Sequence, residues 1–318
     1  MKTKFTLVLS LLSLAATACS DHLYRLALNQ RSFYNPAALC PYCKGSSFIS
    51  SGFSKQIGLE NGGYFFALGN DGVNRVHGPW DYSFSHSEDE TMNVNGYGLR
   101  YAWMQEFGDW RLAGGVRISY FDLRIKTQAA EILSQTVRTS LWDLDAGLMV
   151  TNTKGIYIGI SAQHLPNSEV KTKGPQETQL SVSMKRNYAL MSGGVIPLKG
   201  KFDLMADANA MYDGESFAVQ PGTMLRYNHS LAFGGGLMME QHSLPQFELR
   251  GGYTSARFKW LFTASPSKEG WCLETGLVFR FGYFRDRFAL ISNCANVSGA
   301  CTGAPPRPYV FGEFGTHE

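Results

Sequence analysis

Two cysteines set two residues apart, Cys40 and Cys43 in the stretch "LCPYCKG", are the arrangement in this chain most able to do chemistry. A redox-active Cys-x-x-Cys needs its first thiol at the N-terminus of a helix that follows a strand, where the helix dipole and free N–H groups stabilise the thiolate. The flanking residues do not supply that setting: Pro36 lies just upstream, and Gly45-Ser46-Ser47 would break a helix within a turn of Cys43. An envelope thiol oxidoreductase is therefore the weakest of the functional readings. In an exported, oxidising setting Cys40, Cys43, Cys294 and Cys301 form an even set of candidate disulfide cysteines with three possible pairings, closing each pair locally or fastening the N-terminal segment to the C-terminal tail. Zinc binding by two cysteine pairs ranks below oxidation after export, so no metal site is expected.

Other catalytic patterns fail on geometry. His86 lies near Ser83 and Ser85 on an expected strand, but a nucleophile and its base must share a face. Alternation puts both serines opposite the histidine. The glycines of "GGVRIS" and of "AFGGGLMM" (232–239) fall inside strands, where they suit a crowded wall better than a phosphate loop. No enzyme activity and no cofactor are expected.

The elements that would carry these residues follow from composition. Charged residues are 17% of the 318, aromatics 13%, and there are 34 glycines, a balance that favours strands and tight turns over helices. A net charge of +3, spread evenly, gives no footprint for nucleic acid. Residues 1–18, "MKTKFTLVLSLLSLAATA", combine Lys2 and Lys4 with an apolar stretch and small residues, the pattern of a secretory signal peptide. Cleavage after Ala18 would leave Cys19 first, and "ATAC" loosely resembles a lipidation site. After it no apolar run reaches about 18 residues, which excludes a helical membrane protein.

From Ser46 onward, apolar residues recur with period two. Trp110, Leu112, Val116, Ile118 and Tyr120 share a face opposite Arg111, Arg117 and Ser119, and Trp271, Leu273, Leu277, Phe279 and Phe281 share one opposite Glu274 and Arg280. About 14 strands are expected, most of ten residues or more, long enough to cross a bilayer at a tilt. They run near 46–57, 62–69, 79–87, 94–106, 109–124, 140–151, 154–163, 177–196, 201–212, 215–227, 230–240, 245–254, 256–265 and 271–284.

The connections alternate in length. With both termini in the periplasm, five of the six turns on that side are short, while the long links 124–140 and 164–177 fall outside. Even strand number, short periplasmic turns and long outer loops point to an all-β fold, a transmembrane antiparallel β-barrel of the outer membrane. Trp80, Trp103, Trp110, Trp142, Trp260 and Trp271 sit near strand ends, as interfacial girdles require. The chain divides into a signal peptide (1–18), an N-terminal periplasmic segment (19–45), the barrel (46–284) and a periplasmic tail (285–318). Cys272 faces the lumen as an inert thiol. The lumen-facing charges, Asp143, Asp145, Arg111, Arg117, Asp203, Asp207, Glu248, Arg250, Glu274 and Arg280, are mixed in sign, which favours ion pairs filling the interior over the lining of a selective pore.

Two stretches carry a family resemblance. "LALNQRSFYNPAAL" (26–39) is similar to the N-terminal "NPA" segment of the PorP/SprF family, and "LWDLDAGLMVTNTKGIYIGISAQHLPNSEV" (141–170) resembles its central hairpin, a strand ending in D-A-G, a short turn, then Y-I-G-I-S-A-Q-H-L. The family's members are outer-membrane components of the type IX secretion system of Bacteroidota. The resemblance implies a non-enzymatic barrel, embedded in outer-membrane lipid, that supports secretion or surface anchoring of large adhesins, gliding adhesins among them, that carry a C-terminal sorting domain. Its partners would be the adhesin, the type IX translocon and a periplasmic peptidoglycan-binding lipoprotein, and it brings no catalytic residues. The Cys40/Cys43 pair and the tail depart from the family pattern. The alternative is an outer-membrane channel or hydrophobic-ligand transporter of the porin or FadL type.

Overall fold

Alternation of this kind closes on itself when every strand finds two neighbours, and in the computed structural model it does. The structure describes residues 35–38, 46–57, 62–70, 78–88, 92–129, 133–173, 179–228, 230–241, 245–255, 258–267 and 270–282. The barrel strands are β1 (Ser46–Gln56), β2 (Gly62–Asn70), β3 (Trp80–Glu88), β4 (Met92–Phe107), β5 (Trp110–Ala129), β6 (Leu133–Asn152) and β7 (Tyr157–Gln163). A small hairpin of β8 (Glu169–Lys173) and β9 (Gln179–Ser183) intervenes. The barrel resumes with β10 (Asn187–Pro197), β11 (Phe202–Tyr212), β12 (Phe217–Tyr227), β13 (Leu231–Glu240), β14 (Gln246–Thr254), β15 (Phe258–Ser267) and β16 (Gly270–Gly282). The 14 barrel strands are antiparallel throughout, and β1 pairs with β16, Ser46 opposite Gly282, so that no edge remains. Closure satisfies every strand's backbone within the wall, which a bilayer requires.

The two faces separate as the alternation predicts. Trp110, Val116, Ile118, Leu148, Ile158 and Phe279 point outward and are exposed, while Arg111, Ala113, Ser119, Met149, Tyr157 and Val278 point inward and are buried. All six tryptophans lie on the outer face, between 39% and 65% exposed, where lipid would cover them. Aromatic rings form two rows. At the far end Phe84, Tyr97, Tyr120 and Trp142 contact one another across β3 to β6, Tyr120 and Trp142 with centroids 5.0 Å apart. At the end where β1 begins and β16 ends Phe202 meets Tyr227 at 5.1 Å, and Tyr253, Phe258 and Phe279 form a second contact row. Along β6 the distance from Trp142 to Asn152 is about ten residues, about 25 Å along the membrane normal at the usual tilt, the height of an apolar band.

The described turns at the end where β1 begins are tight. Phe107 pairs directly with Trp110, and Gly108 takes φ 57°, the left-handed conformation such a turn needs. Asn152 holds the next turn, its Oδ1 accepting the N–H groups of Lys154 and Ile156.

Two expectations are corrected at the far end. Residues 124–140 are not one long loop: β5 continues to Ala129 and β6 begins at Leu133, making a ladder of 20 residues per strand that rises past the aromatic row. Leu123, Ile125 and Leu141 are buried there, with Phe121 and Met184 against them. Residues 177–196 are not one strand either. They break at 184–186 into β9, which pairs with β8 outside the barrel, and β10, which pairs with β7 and β11. The link expected as the loop 164–177 therefore contains half of an ordered hairpin. The signal peptide, Cys19, Cys40, Cys43, Cys294, Cys301 and the tail 285–318 lie outside the described residues, as does the side chain of Arg280.

Candidate functional site

Of the segment 19–45, the described part is Asn35–Ala38, and it lies inside the barrel. Asn35 and Ala37 are fully buried, and Pro36–Ala38 form a single 3-10 turn against the inner faces of β4, β5, β6 and β7. The Asn35 carboxamide is the anchor. Its Nδ2 donates to the carbonyls of Leu148 at 2.9 Å and Ile160 at 3.0 Å, residues paired directly across β6 and β7. Its Oδ1 accepts the Ala37 N–H at 2.9 Å, and its backbone carbonyl accepts that of Ala38.

Space for this segment comes from glycine. Gly115 on β5 pairs directly with Gly147 on β6, and Gly159 on β7 lies diagonally beyond. A Cβ on Gly147 would overlap Asn35 Oδ1, one on Gly159 would stand 2.8 Å from Asn35 Nδ2, and one on Gly115 would overlap the Pro36–Ala37 backbone. The recess is completed by Ala113, Met149, Tyr157 and Met191, which pack on Ala37 and Ala38.

Further along the same strands is a charged knot. Arg117 on β5 makes an ion pair with Asp145 on β6, both facing inward. Asp145 Oδ1 accepts the backbone N–H of His164 at 2.8 Å, and His164 Nδ1 lies 2.6 Å from Asp143 Oδ2. The backbone of His164 takes φ 55°, a strained value for a non-glycine residue, and both carboxylate contacts hold it there. Ligating atoms of Asp143, Asp145 and His164 lie within 4.8 Å of one another. Arg117 and the His164 backbone N–H engage both oxygens of Asp145, and the His164 imidazole engages one oxygen of Asp143.

The opposite wall is filled by its own side chains. Arg250 on β14 binds Asp207 at 2.9 Å and Glu248 at 3.2 Å, and Gln220 donates to Glu248 at 2.6 Å. The directly paired Gly222 and Gly236 leave room for the guanidinium, since a Cβ on Gly236 would stand 3.0 Å from Arg250 Nη2. Arg226 meets Asp203 at 2.8 Å. Among the described lumen charges, Arg111, Arg117, Asp145, Asp203, Asp207, Glu248 and Arg250 pair with opposite charges as their mixed signs predict, while Glu274 meets the Thr263 hydroxyl.

Sequence reasoning missed Arg100 and Asp81, directly opposed on β4 and β3 and fully buried as an ion pair. It also missed the Asn35 clasp. Cys272 faces inward and is buried, 3.9 Å from the Ser54 hydroxyl. His86 shares the outer face with Tyr64, its ring 5.0 Å away, and contacts Asn95, while Ser83 is on the inner face, so no hydrolase triad assembles here.

These features define a closed, 14-stranded outer-membrane β-barrel whose interior carries paired charges and a length of its own N-terminal chain. The model of the type IX secretion system membrane protein PorP/SprF matches residues 82–261, and the chain belongs to that family. Comparison with curated proteins finds no match. Among solved structures, the TodX deltaS2S3 mutant monoaromatic hydrocarbon channel is similar with a TM-score of 0.50 at 10% identity, over 79% of this chain and 93% of that one. The toluene transporter TbuX of Ralstonia pickettii gives 0.49 at 9% identity, over 79% and 92%. Omp33 of Acinetobacter baumannii gives 0.47 at 8% identity, over 74% and 99%. At such identities the TodX likeness is one of fold alone.

Proposed function

We propose that this chain is a non-enzymatic platform of the type IX secretion system that supports secretion or surface anchoring of large adhesins carrying a C-terminal sorting domain. Membership of the family supports a secretion-system membrane component in the outer membrane. The observation that supports the platform reading is the seat of residues 35–38 on the inner wall. Asn35-Pro36-Ala37 is seated on Gly115, Gly147 and Gly159, which fall in the region matched to the family, so that region of the wall holds a length of chain in the interior. The β5–β6 ladder and the β8–β9 hairpin, tied by Ser168 Oγ donating to the Trp142 carbonyl at 2.9 Å, would present the adhesin-facing surface. The opposite end would meet the translocon and a peptidoglycan-binding lipoprotein.

Purification of the tagged protein from native outer membranes in mild detergent, followed by mass spectrometry, tests the reading. An adhesin with a sorting domain or a translocon subunit in stoichiometric amount is the expected result, and isolation of the barrel alone would remove the reading's main support. The second reading, a channel or hydrophobic-ligand transporter, draws on the fold shared with TodX and predicts conductance or ligand uptake by the purified wild-type protein.

A further inference from the structure

We infer that Asp143, Asp145 and His164 form a binding site for a borderline-soft divalent cation of the zinc type, one residue along β6 from Trp142 of the far-end aromatic row. Their ligating atoms lie within 4.8 Å of one another. Both carboxylates are buried, while the imidazole is 18% exposed, which leaves an approach on the histidine side.

A single atom separates this knot from an ordinary ion-pair network. On the opposite wall Arg250 serves Asp207 and Glu248 together, and neither leaves a buried oxygen without a hydrogen bond. In the knot Arg117 and the His164 N–H use both oxygens of Asp145, but Asp143, its side chain fully buried, meets the imidazole through Oδ2. Its Oδ1 is buried with no hydrogen-bond partner. A bare buried carboxylate oxygen costs free energy that a bound ion recovers. Two carboxylates against one guanidinium also leave a negative charge over. An imidazolium would neutralise it but reaches Oδ2 alone, whereas a cation held between the three side chains serves Asp143 as well as the charge.

The donor set selects the ion. One imidazole nitrogen and two carboxylates suit zinc, bound at about 2.0–2.2 Å in a four-coordinate site that keeps one position for water. Calcium takes about six to eight oxygens and magnesium a near-ideal octahedron, more than three side chains supply. Donors around a four-coordinate zinc stand about 3.4 Å apart, so the ion takes the place of the proton between His164 Nδ1 and Asp143 Oδ2, released to water, and spreads their 2.6 Å contact by about 1 Å. His164 is the first residue after β7 and opens the link to the β8–β9 hairpin. The ion therefore ties the root of that hairpin to β6, beside the Leu165 N–H that donates to the Leu144 carbonyl. The inference rests on this cluster alone and holds whichever partner the barrel serves.

The test uses the full-length protein in detergent, carrying a tag without histidine, stripped with EDTA and titrated with Zn2+. Folding of each variant is verified by heat-modifiable gel mobility. Wild type is expected to bind zinc at this site in the presence of excess Mg2+. Co2+ in its place is expected to show ligand-field bands without thiolate charge transfer, which separates the site from the cysteines. Asp143→Asn and His164→Ala are each expected to weaken binding by about 100-fold or more, beyond the roughly 10–100-fold typical of losing an outer-shell partner. Arg117→Gln removes a competing positive charge and is expected to tighten binding by about tenfold, which a cluster serving the guanidinium alone would not do. Folded wild type that takes up no zinc, Asp143→Asn and His164→Ala that bind as tightly as wild type, or Arg117→Gln that loses affinity would each overturn the proposal.

Discussion

Gly147 lies beneath the carboxamide of Asn35, the glycine within residues 82–261 that match the family and the asparagine before them. The glycine is there to be covered, and the asparagine covers it by donating to carbonyls on either side of the β6–β7 seam. This separates hydrogen bonding from filling of space. Asn35→Asp keeps the shape and the acceptor for the Ala37 N–H but turns a donor into an acceptor facing two carbonyls. It is expected to destabilise the barrel by about 2–3 kcal/mol, more than the roughly 1–2 kcal/mol of Asn35→Ala. Urea unfolding in detergent, followed by tryptophan fluorescence, gives the order, and a smaller loss for Asp than for Ala would refute it.

The second prediction concerns the opposite wall. Removing the guanidinium in Arg250→Ala strands Asp207 and Glu248 as buried carboxylates, which typically costs about 3–5 kcal/mol. Neutralising them in the same protein, Arg250→Leu with Asp207→Asn and Glu248→Gln, is expected to recover most of that loss, since the cost lies in the unpaired charge. Equal destabilisation of the single and triple variants in the same unfolding assay would mean that packing of the guanidinium over Gly222 and Gly236 matters more.

Much of this architecture was legible in the sequence, and the failures have a common cause. Strand positions, the number 14 and the inward charges follow from alternation because lipid outside and charge inside impose it strongly. Beyond the bilayer that contrast fades. Thr136, Arg138 and Ser140 are exposed on the outer face of β6, where membrane strands carry apolar residues, so the ladder that joins them to β5 reads as a loop. Met184-Lys185-Arg186 likewise divides β9 from β10 without a glycine or proline to mark the break. Asn35 could not be placed, since its partners lie 113 and 125 residues away and are backbone carbonyls, which leave no trace in side-chain pattern. The Arg100–Asp81 pair was within reach: registering β3 against β4 sets them opposite.

Lipid exposure makes the third prediction. Leu148 is 51% exposed on the outer face, and its neighbour Met149 is buried inside. Leu148→Arg puts a charge into the apolar band and is expected to cost up to about 2–4 kcal/mol, less if the position lies near the interface. Folding into liposomes, scored by heat-modifiable mobility, should fall for Leu148→Arg and remain near wild type for Leu148→Phe. Equal folding of the two would place this face away from lipid.

A pH response is expected in the far-end turn between β11 and β12. Burial raises the pKa of Asp213, but the N–H groups of Ser216 and Glu215 and the Ser216 hydroxyl all donate to its carboxylate and together hold it below the usual value. A depressed folded pKa means that the carboxylate's contribution is complete above the unfolded value of about 4 and is lost as pH falls through the folded value. Amide exchange at Ser216 should therefore be slow at neutral pH and lose protection in acid, and Asp213→Ala should show weak protection at both. Protection unchanged on acidification would show that the turn does not depend on the charge.

The last prediction addresses the outward hairpins. The β8–β9 pair hangs from the barrel by the Leu165 N–H donating to the Leu144 carbonyl, by Ser168, and by Met184 packing with Leu123 and Leu141. None of its strands belongs to the closed sheet, so the barrel's own ladder survives without it. Replacing 169–183 with a short Gly/Ser linker should leave gel mobility and urea midpoint near wild type, because the β7–β10 pairing is untouched. If the hairpin is the adhesin-facing surface, cells carrying the shortened chain should release adhesin to the medium or fail to display it, while the translocon still co-purifies from the opposite end. Normal surface display would move adhesin contact to the β5–β6 ladder. Substitutions at Arg138, whose guanidinium projects there beside Asp122 at 2.8 Å, would then be the ones to reduce display.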